Sequence, residues 1–291
     1  MEFRVIKESD KELFSKYIIN NPCSSYNFIT CYAWCNEDNL KICEQDGFLY
    51  IMWEGANKAR MLFPKGNGNL KDAINSCVKY LKSRNLKPYF AALSEDDVIK
   101  MKDLFGDEFY FDYDRNNSDY IYECEKLINL SGKKLHSNKN NYNSFVKKYN
   151  FTYRELTDAD KTACKRLFDN WYTLKDENAR LLKQSRAATY KIIDNVGKFG
   201  LKGAVIEIDG EIAACSVGEE ISPDTVLIHL EFANRDYNGI YAAINKMFAQ
   251  NEWKDYKYIN REEDMGDLGL RRAKESYQPY KLLNEYTAKL K

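Results

Sequence analysis

The chain carries no net charge. Its 291 residues hold 44 Lys and Arg against 44 Asp and Glu, so any recognition of charge must be local. Long apolar runs are also missing. None approaches the ~20 residues that a spanning helix needs, which predicts no integral membrane segment. The first ten residues, MEFRVIKESD, contain acid and no apolar core, unlike a signal peptide, and a cytoplasmic chain is expected. Histidine is scarce, with two copies. Four of the eight cysteines, Cys23, Cys31, Cys35 and Cys43, fall within 21 residues. Their spacings do not build the paired knuckles of a zinc site, and neither histidine is near. No metal is expected, and the cysteines are read as reduced, buried thiols.

What is present suits two cores of similar size, since 291 residues at 44% hydrophobic content exceed one ordinary domain. The 22 tyrosines suggest half-buried rings with wet hydroxyls. A repeat supports two cores. FRVIKESDK at 3–11 and YRELTDADK at 153–161 share Arg, Asp and Lys in register, and each reads as a short strand entering a helix. Ser9 to Glu12 and Thr157 to Asp160 fit a capping box. Asp46-Gly47 and Asp209-Gly210 each separate two β-type runs, a strong hairpin signal. Ala-Ile-Asn recurs on helical patterns at 73–75 and 243–245. The order strand, helix, hairpin, helix occurs twice. The fold class implied is α+β, each half a mostly antiparallel sheet with helices on its faces. In TVLIHLEF, 225–232, alternation puts Val226, Ile228, Leu230 and Phe232 on one face and Thr225, Leu227, His229 and Glu231 on the other.

Between Glu125 and Glu155 there is no acid, while lysine and asparagine crowd the stretch GKKLHSNKNNYNSF. Leu135, Tyr142, Phe145 and Tyr149 recur at helical spacing and give it an apolar side. Lys133 and Lys134 precede the helix, and His136, Lys139, Asn140 and Asn143 share a neighbouring stripe. Ammonium groups beside amides suit phosphate or sugar oxygens. The other possibility is a solvated charged face.

The segments GKKLHSNKNNYNSFVKKY, NGIYAAINKMF and INREEDMGDLGLRRAKESYQP together resemble the family of the C-terminal domain of phosphatidylglycerol lysyltransferase, within the GNAT acyltransferase superfamily. The resemblance implies two tandem GNAT-like domains, here 1–125 and 151–291, joined by a basic helix at 126–150. It also implies transfer of an aminoacyl group from a charged tRNA. The glycine-rich pattern that binds coenzyme A pyrophosphate is absent from NRDYNGIY, which has only Gly239. FPKGNGN, with Gly66 and Gly68 ahead of a helix, is a weak phosphate-loop candidate beside the plain-loop reading.

Acyl transfer needs an oxyanion donor, a base, and a slot for both substrates. The resemblance places the oxyanion strand at IAACSVGEE, around Ser216 to Gly218. His229 and Glu231 are the catalytic candidates for the base. Asn260, Arg261, Glu262, Glu263, Asp264 and Gly266, with Tyr277, form the substrate-binding candidates, their carboxylates suited to an ammonium group. Arg271 and Lys274 join the basic stretch as candidate contacts to an anionic donor. The expected function is a soluble acyltransferase that moves an aminoacyl group from aminoacyl-tRNA to an amine or hydroxyl on a small-molecule or peptide acceptor, with no cofactor beyond the donor. An acyl-CoA-dependent N-acyltransferase and a non-catalytic binding module of the same fold are the alternatives.

Overall fold

The computed structural model describes residues 1–37, 39–173 and 179–291. In chain order they form β1 (Arg4–Val5), α1 (Lys11–Tyr17), α2 (Phe28–Trp34), β2 (Leu40–Gln45), β3 (Phe48–Glu54), β4 (Ala59–Leu62), β5 (Lys65–Gly66), α3 (Leu70–Ser83), β6 (Tyr89–Leu93), α4 (Glu95–Phe105), β7 (Phe109–Tyr113) and β8 (Asp119–Glu123). There follow α5 (Cys124–Asn129), α6 (His136–Lys148), β9 (Thr152–Glu155), α7 (Lys161–Thr173), α8 (Ala179–Asp194), β10 (Lys202–Ile208), β11 (Glu211–Ser222), β12 (Thr225–Ala233), α9 (Ile240–Glu252), β13 (Tyr258–Asn260), α10 (Leu268–Ser276), β14 (Lys281–Leu283) and β15 (Tyr286–Leu290). Two compact units result. One comprises Met1–Asp119 with Leu283–Lys291, the other Tyr120–Leu282. The basic segment therefore lies inside the second unit, and the last nine residues lie in the first.

The first sheet runs β1-β2-β3-β4-β6-β15-β7, and the second runs β14-β8-β13-β12-β11-β10-β9. Each contains a parallel pair, β4 with β6 and β12 with β13. The hairpins form as the Asp-Gly signals predict. Gln45 faces Phe48 and Ile208 faces Glu211 across two-residue loops. Asp46 and Gly47 have φ of 51° and 78°, and Asp209 and Gly210 have 52° and 81°, the left-handed values of a turn whose twist matches the strands. The repeat extends to side chains. Arg4 bonds both oxygens of Asp10 at 2.7 and 2.6 Å, and Arg154 bonds both oxygens of Asp160 at 2.7 and 2.8 Å. Ser9 does not cap the first helix. The Lys7 N–H bonds the Asp10 carboxylate at 2.7 Å, as the Thr157 N–H bonds Asp160 at 2.9 Å, because the Arg–Asp pair fixes where each turn begins.

The first core gathers Met52, Met61, Ile74, Cys77 and Phe90 under α3 and α4. In the second unit, Val226, Ile228 and Ile259 cluster with Phe248 of α9 and with Trp253 just after it. Full burial of a side chain such as Phe248 contributes about 2–3 kcal/mol. All eight cysteines are buried and unbridged. Burial pushes the Cys31 thiol up to about 12, so it stays protonated. Several tyrosines are drier than their number suggested, since Tyr26, Tyr120 and Tyr122 are fully buried and their hydroxyls bond within the protein. Among the described residues no helix is long and apolar enough to cross a membrane, and no group of three His, Cys, Asp or Glu is placed to hold a metal ion.

Candidate active site

The two parallel strand pairs end differently. In the first unit, pairing of β4 with β6 stops at Leu62 and Ala91. There the buried hydroxyl of Tyr26 donates toward the carbonyls of Phe63 (3.1 Å) and Ala92 (2.9 Å), so the diverging strands are bridged by a side chain. Gly66 and Gly68, the phosphate-loop candidates, lie close against the first hairpin. A Cβ on Gly66 would lie 2.1 Å from the Gly47 carbonyl, and one on Gly68 2.4 Å from the Asp46 carbonyl; both glycines exist to let this loop lie against the hairpin. Asn69 then caps α3 through the N–H groups of Lys71 and Asp72.

In the second unit, pairing of β12 with β13 stops at Leu227 and Asn260, and charged residues follow on both strands. The register between β11 and β12 shifts here: Val217 faces Leu230, but Gly218 faces Ile228. His229 is the extra residue of a β-bulge, which reverses the alternation of faces beyond it. The single apolar face expected for Val226 through Phe232 is therefore broken. Val226 and Ile228 pack on α9, whereas the Phe232 ring meets Phe168 of α7, and Glu231 reaches Asn245 of α9. Gly218 sits under the bulge, where a Cβ would come within 2.7 Å of the Leu227 carbonyl. IAACSVGEE is β11, flanked by β10 and β12, so its backbone groups are used in pairing. The strand bordering the divergence is β12. Ser216, expected near an oxyanion site, donates instead to the Leu230 carbonyl at 3.1 Å.

His229 has a side chain 1% exposed and lies between two carboxylates, with Nε2 3.0 Å from Glu219 and Nδ1 3.2 Å from Glu262. Burial alone would lower its pKa. The bonds to Glu219 and Glu262 outweigh burial and raise it to about 9, so at neutral pH the ring is an imidazolium with both protons engaged. A group in that state cannot take a proton from a nucleophile. Glu231, the other catalytic candidate, accepts from Arg261 Nη2 at 2.7 Å and from Asn245 Nδ2 at 3.1 Å. Arg261 lies over the rings of Tyr122 and Tyr277, 5.5 and 5.1 Å from their centroids, a setting that suits a guanidinium.

The loop after β13 holds this arrangement. Buried Asn260 accepts the Glu262 N–H at 2.7 Å, stabilising Glu262 at a left-handed φ of 57°, a conformation that costs a side-chain residue roughly 1 kcal/mol. That turn aims the Glu262 carboxylate at His229. Lys274 is buried and donates to the carbonyls of Arg261 (2.6 Å), Glu262 (3.0 Å) and Glu263, so its charge pins the loop. Asp264 is fully buried. Burial would raise its pKa, but paired bonds from Arg271 at 2.8 Å, with the Tyr120 hydroxyl and the Gly266 N–H, hold it below the usual carboxylate range. Of the substrate-binding candidates, Arg261 and Glu262 thus border the divergence, Tyr277 backs Arg261, and Asn260, Glu263, Asp264 and Gly266 shape the turn. Arg271 and Lys274 are engaged in that same framework. Sequence reasoning missed Glu219 and Asn245. Glu219 directly follows Gly218 at the bulge, and Asn245 lies in the repeated Ala-Ile-Asn, whose asparagine is the only polar member.

The basic helix α6 turns its apolar side inward, with Phe145 buried, as is Leu135 just ahead of it. Asn138 is also buried and donates to the Ser276 carbonyl at 3.0 Å. Lys133, Lys134, His136, Lys139, Asn140 and Asn143 are exposed, and His136 and Asn140 meet at 3.2 Å. Helix α6 also covers the start of α9. Gly239, the N-cap of α9 at φ 88°, would place a Cβ 2.2 Å from the Asn141 carbonyl.

The paired units have the topology of tandem GNAT proteins. Within that class, the chain belongs to the family described as phosphatidylglycerol lysyltransferase, C-terminal, whose model matches residues 18–289. A conserved protein of unknown function from Bacteroides thetaiotaomicron is 28% identical, with full coverage of both chains and a TM-score of 0.93. L-PGS from Bacillus licheniformis is 15% identical over 99% of this chain and 93% of its own, at a TM-score of 0.70. An uncharacterized protein from Mycoplasmoides gallisepticum is 23% identical over 60% of this chain, and the match spans 57% of that relative's length.

Proposed function

We propose that this protein is an aminoacyltransferase that works where β12 and β13 diverge, with aminoacyl-tRNA as donor and an amine or hydroxyl as acceptor. The observation that carries this reading is the buried charge network of Glu219, His229, Glu231, Arg261 and Glu262 at that divergence, in a member of the phosphatidylglycerol lysyltransferase C-terminal family. In the first unit the same position is bridged by Tyr26. Glu262 is the most exposed of the three carboxylates, at 26% against 6% for Glu219 and 11% for Glu231, and we assign it to receive the nucleophile's proton and pass it to the tRNA ribose oxygen that leaves as the donor's ester bond breaks. The His229 imidazolium beside it steadies the carboxylate and the charge that builds up during transfer. Coverage of the α9 N-terminus by α6 argues against pyrophosphate of coenzyme A at that end.

The test is a donor comparison. The protein is incubated with tRNA charged with labelled amino acids, or with labelled acetyl-CoA, together with amine and hydroxyl acceptors, and both product formation and thermal stabilisation are followed. Transfer from charged tRNA, abolished in Glu262→Gln, supports the reading. Transfer from acetyl-CoA alone overturns it in favour of a coenzyme A enzyme, and stabilisation without turnover points to a binding module.

A further inference from the structure

Two buried polar atoms beside Glu231 are left without hydrogen bonds, and they are complementary. Arg261 Nη2 bonds Glu231 Oε1, while its Nη1, a donor, has no partner. Asn245 Nδ2 bonds Glu231 Oε2, while its Oδ1, an acceptor, has none. Asn245 is 4% exposed, and the Arg261 side chain is 12% exposed. The amide orientation of Asn245 is fixed by its neighbour, since a flip would turn its oxygen onto the Glu231 carboxylate. Leaving such groups unmet costs about 1–3 kcal/mol each, and neither lies in a turn or cap that needs it there. Charge is already balanced at this point by the Glu231–Arg261 pair. An occupant therefore needs no charge of its own. It needs an acceptor for a guanidinium N–H and a donor for a carboxamide oxygen.

We propose that Arg261 and Asn245 form a subsite for an uncharged amide, its C=O accepting from Arg261 Nη1 and its N–H donating to Asn245 Oδ1. The guanidinium lies over the rings of both Tyr122 and Tyr277 and is tied to Glu231, so the donor is held in place before a ligand arrives. A free carboxylate has no N–H for Asn245, and an ester has none either, so both forgo one bond of the pair. As an element of the proposed transferase, which this part of the inference rests on, the subsite marks the acceptor as an amide-bearing, peptide-like molecule rather than a simple amine.

The experiment compares propionamide, propionate and methyl propionate, of which only the first has an amide, by thermal shift and ligand-observed NMR on the full chain. The amide should bind about tenfold more tightly than the ester or acid, the worth of one hydrogen bond. Asn245→Leu should remove that preference. Arg261→Lys keeps the charge beside Glu231 but lacks the second nitrogen of the guanidinium fork, and should weaken amide and ester alike. Equal binding of the three probes, or binding by none with only a water between the two groups in a crystal structure, overturns the subsite. Amide binding without transfer from charged tRNA leaves the subsite standing and removes the transferase reading, whereas transfer without amide preference does the reverse.

Discussion

Arg154 grips Asp160 through two parallel N–H···O bonds, the arrangement that joins Arg4 to Asp10 in the other unit. The bonds from Arg154 outweigh burial and hold the Asp160 carboxyl below the usual range. A depressed pKa of this kind adds stability above the unfolded value near 4, and that stability is lost as pH falls through the folded value. With Arg154 35% exposed, solvent screens part of the effect. Asp160→Asn should therefore cost about 1–3 kcal/mol at pH 7 in urea unfolding. The gap from wild type should narrow on acidification below pH about 4. A gap that stays constant down to pH 2 would show that the pair contributes nothing through ionisation.

That pair also explains why the architecture was legible in the chain. The match of 3–11 with 153–161 is a match of Arg, Asp and Lys in a turn that both units need, and the two Asp-Gly hairpins declare themselves by backbone chemistry alone. What the chain did not disclose was non-local. Asp119–Glu123 reads as a strand, but nothing in DYIYE says that it lies between β13 and β14. Likewise Tyr286–Leu290 gives no sign that it enters the first sheet between β6 and β7. The bulge at His229 was hidden for a different reason. One extra residue reverses every face beyond it, and histidine is no marker of a bulge. His229 and Glu231 stand out as polar residues in an apolar strand, yet the bulge gives them separate partners.

His229 offers a test of the charge network by pH. Its folded pKa of about 9 lies above the unfolded value near 6.5, so its contribution is complete below pH about 6.5 and is lost as pH rises through about 9. The difference corresponds to up to about 3 kcal/mol. Urea midpoints for the wild type should fall across that window, and His229→Gln should lack this part of the fall. An NMR titration that finds the folded imidazole deprotonating near 6.5 would remove the imidazolium from the site.

Gly239 and Gly210 make a matched pair for the packing of α6 on α9. Both have left-handed φ, 88° and 81°, so alanine at either costs roughly 1 kcal/mol in backbone strain. A Cβ at Gly210 meets nothing within 4 Å, while at Gly239 it meets the Asn141 carbonyl. Gly239→Ala should thus destabilise by about 1–3 kcal/mol more than Gly210→Ala, the range for overpacking. It should also expose α6 to proteolysis before the rest of the second unit. Equal costs at the two positions would mean that α6 does not rest on the start of α9.

The exposed lysines of α6 and its approach decide whether the proposed donor is a polyanion. Lys133, Lys134 and Lys139 stand on the surface, while the helix is anchored by Leu135, Asn138 and Phe145 on its other side. Replacing the three lysines by Gln should leave the unfolding midpoint within about 0.5 kcal/mol of wild type, as for surface changes away from packing. Binding of tRNA should respond differently. Every lysine that neutralises a phosphate adds close to one unit to the slope of log K against log salt, so the triple variant should bind more weakly at low salt and with a slope flatter by up to about three units. Filter binding between about 50 and 200 mM salt spans the range in which that change is read. A wild-type protein whose tRNA affinity ignores salt, or a variant with an unchanged slope, would assign these lysines to a solvated face. The donor would then have to be recognised at the divergence of β12 and β13 alone.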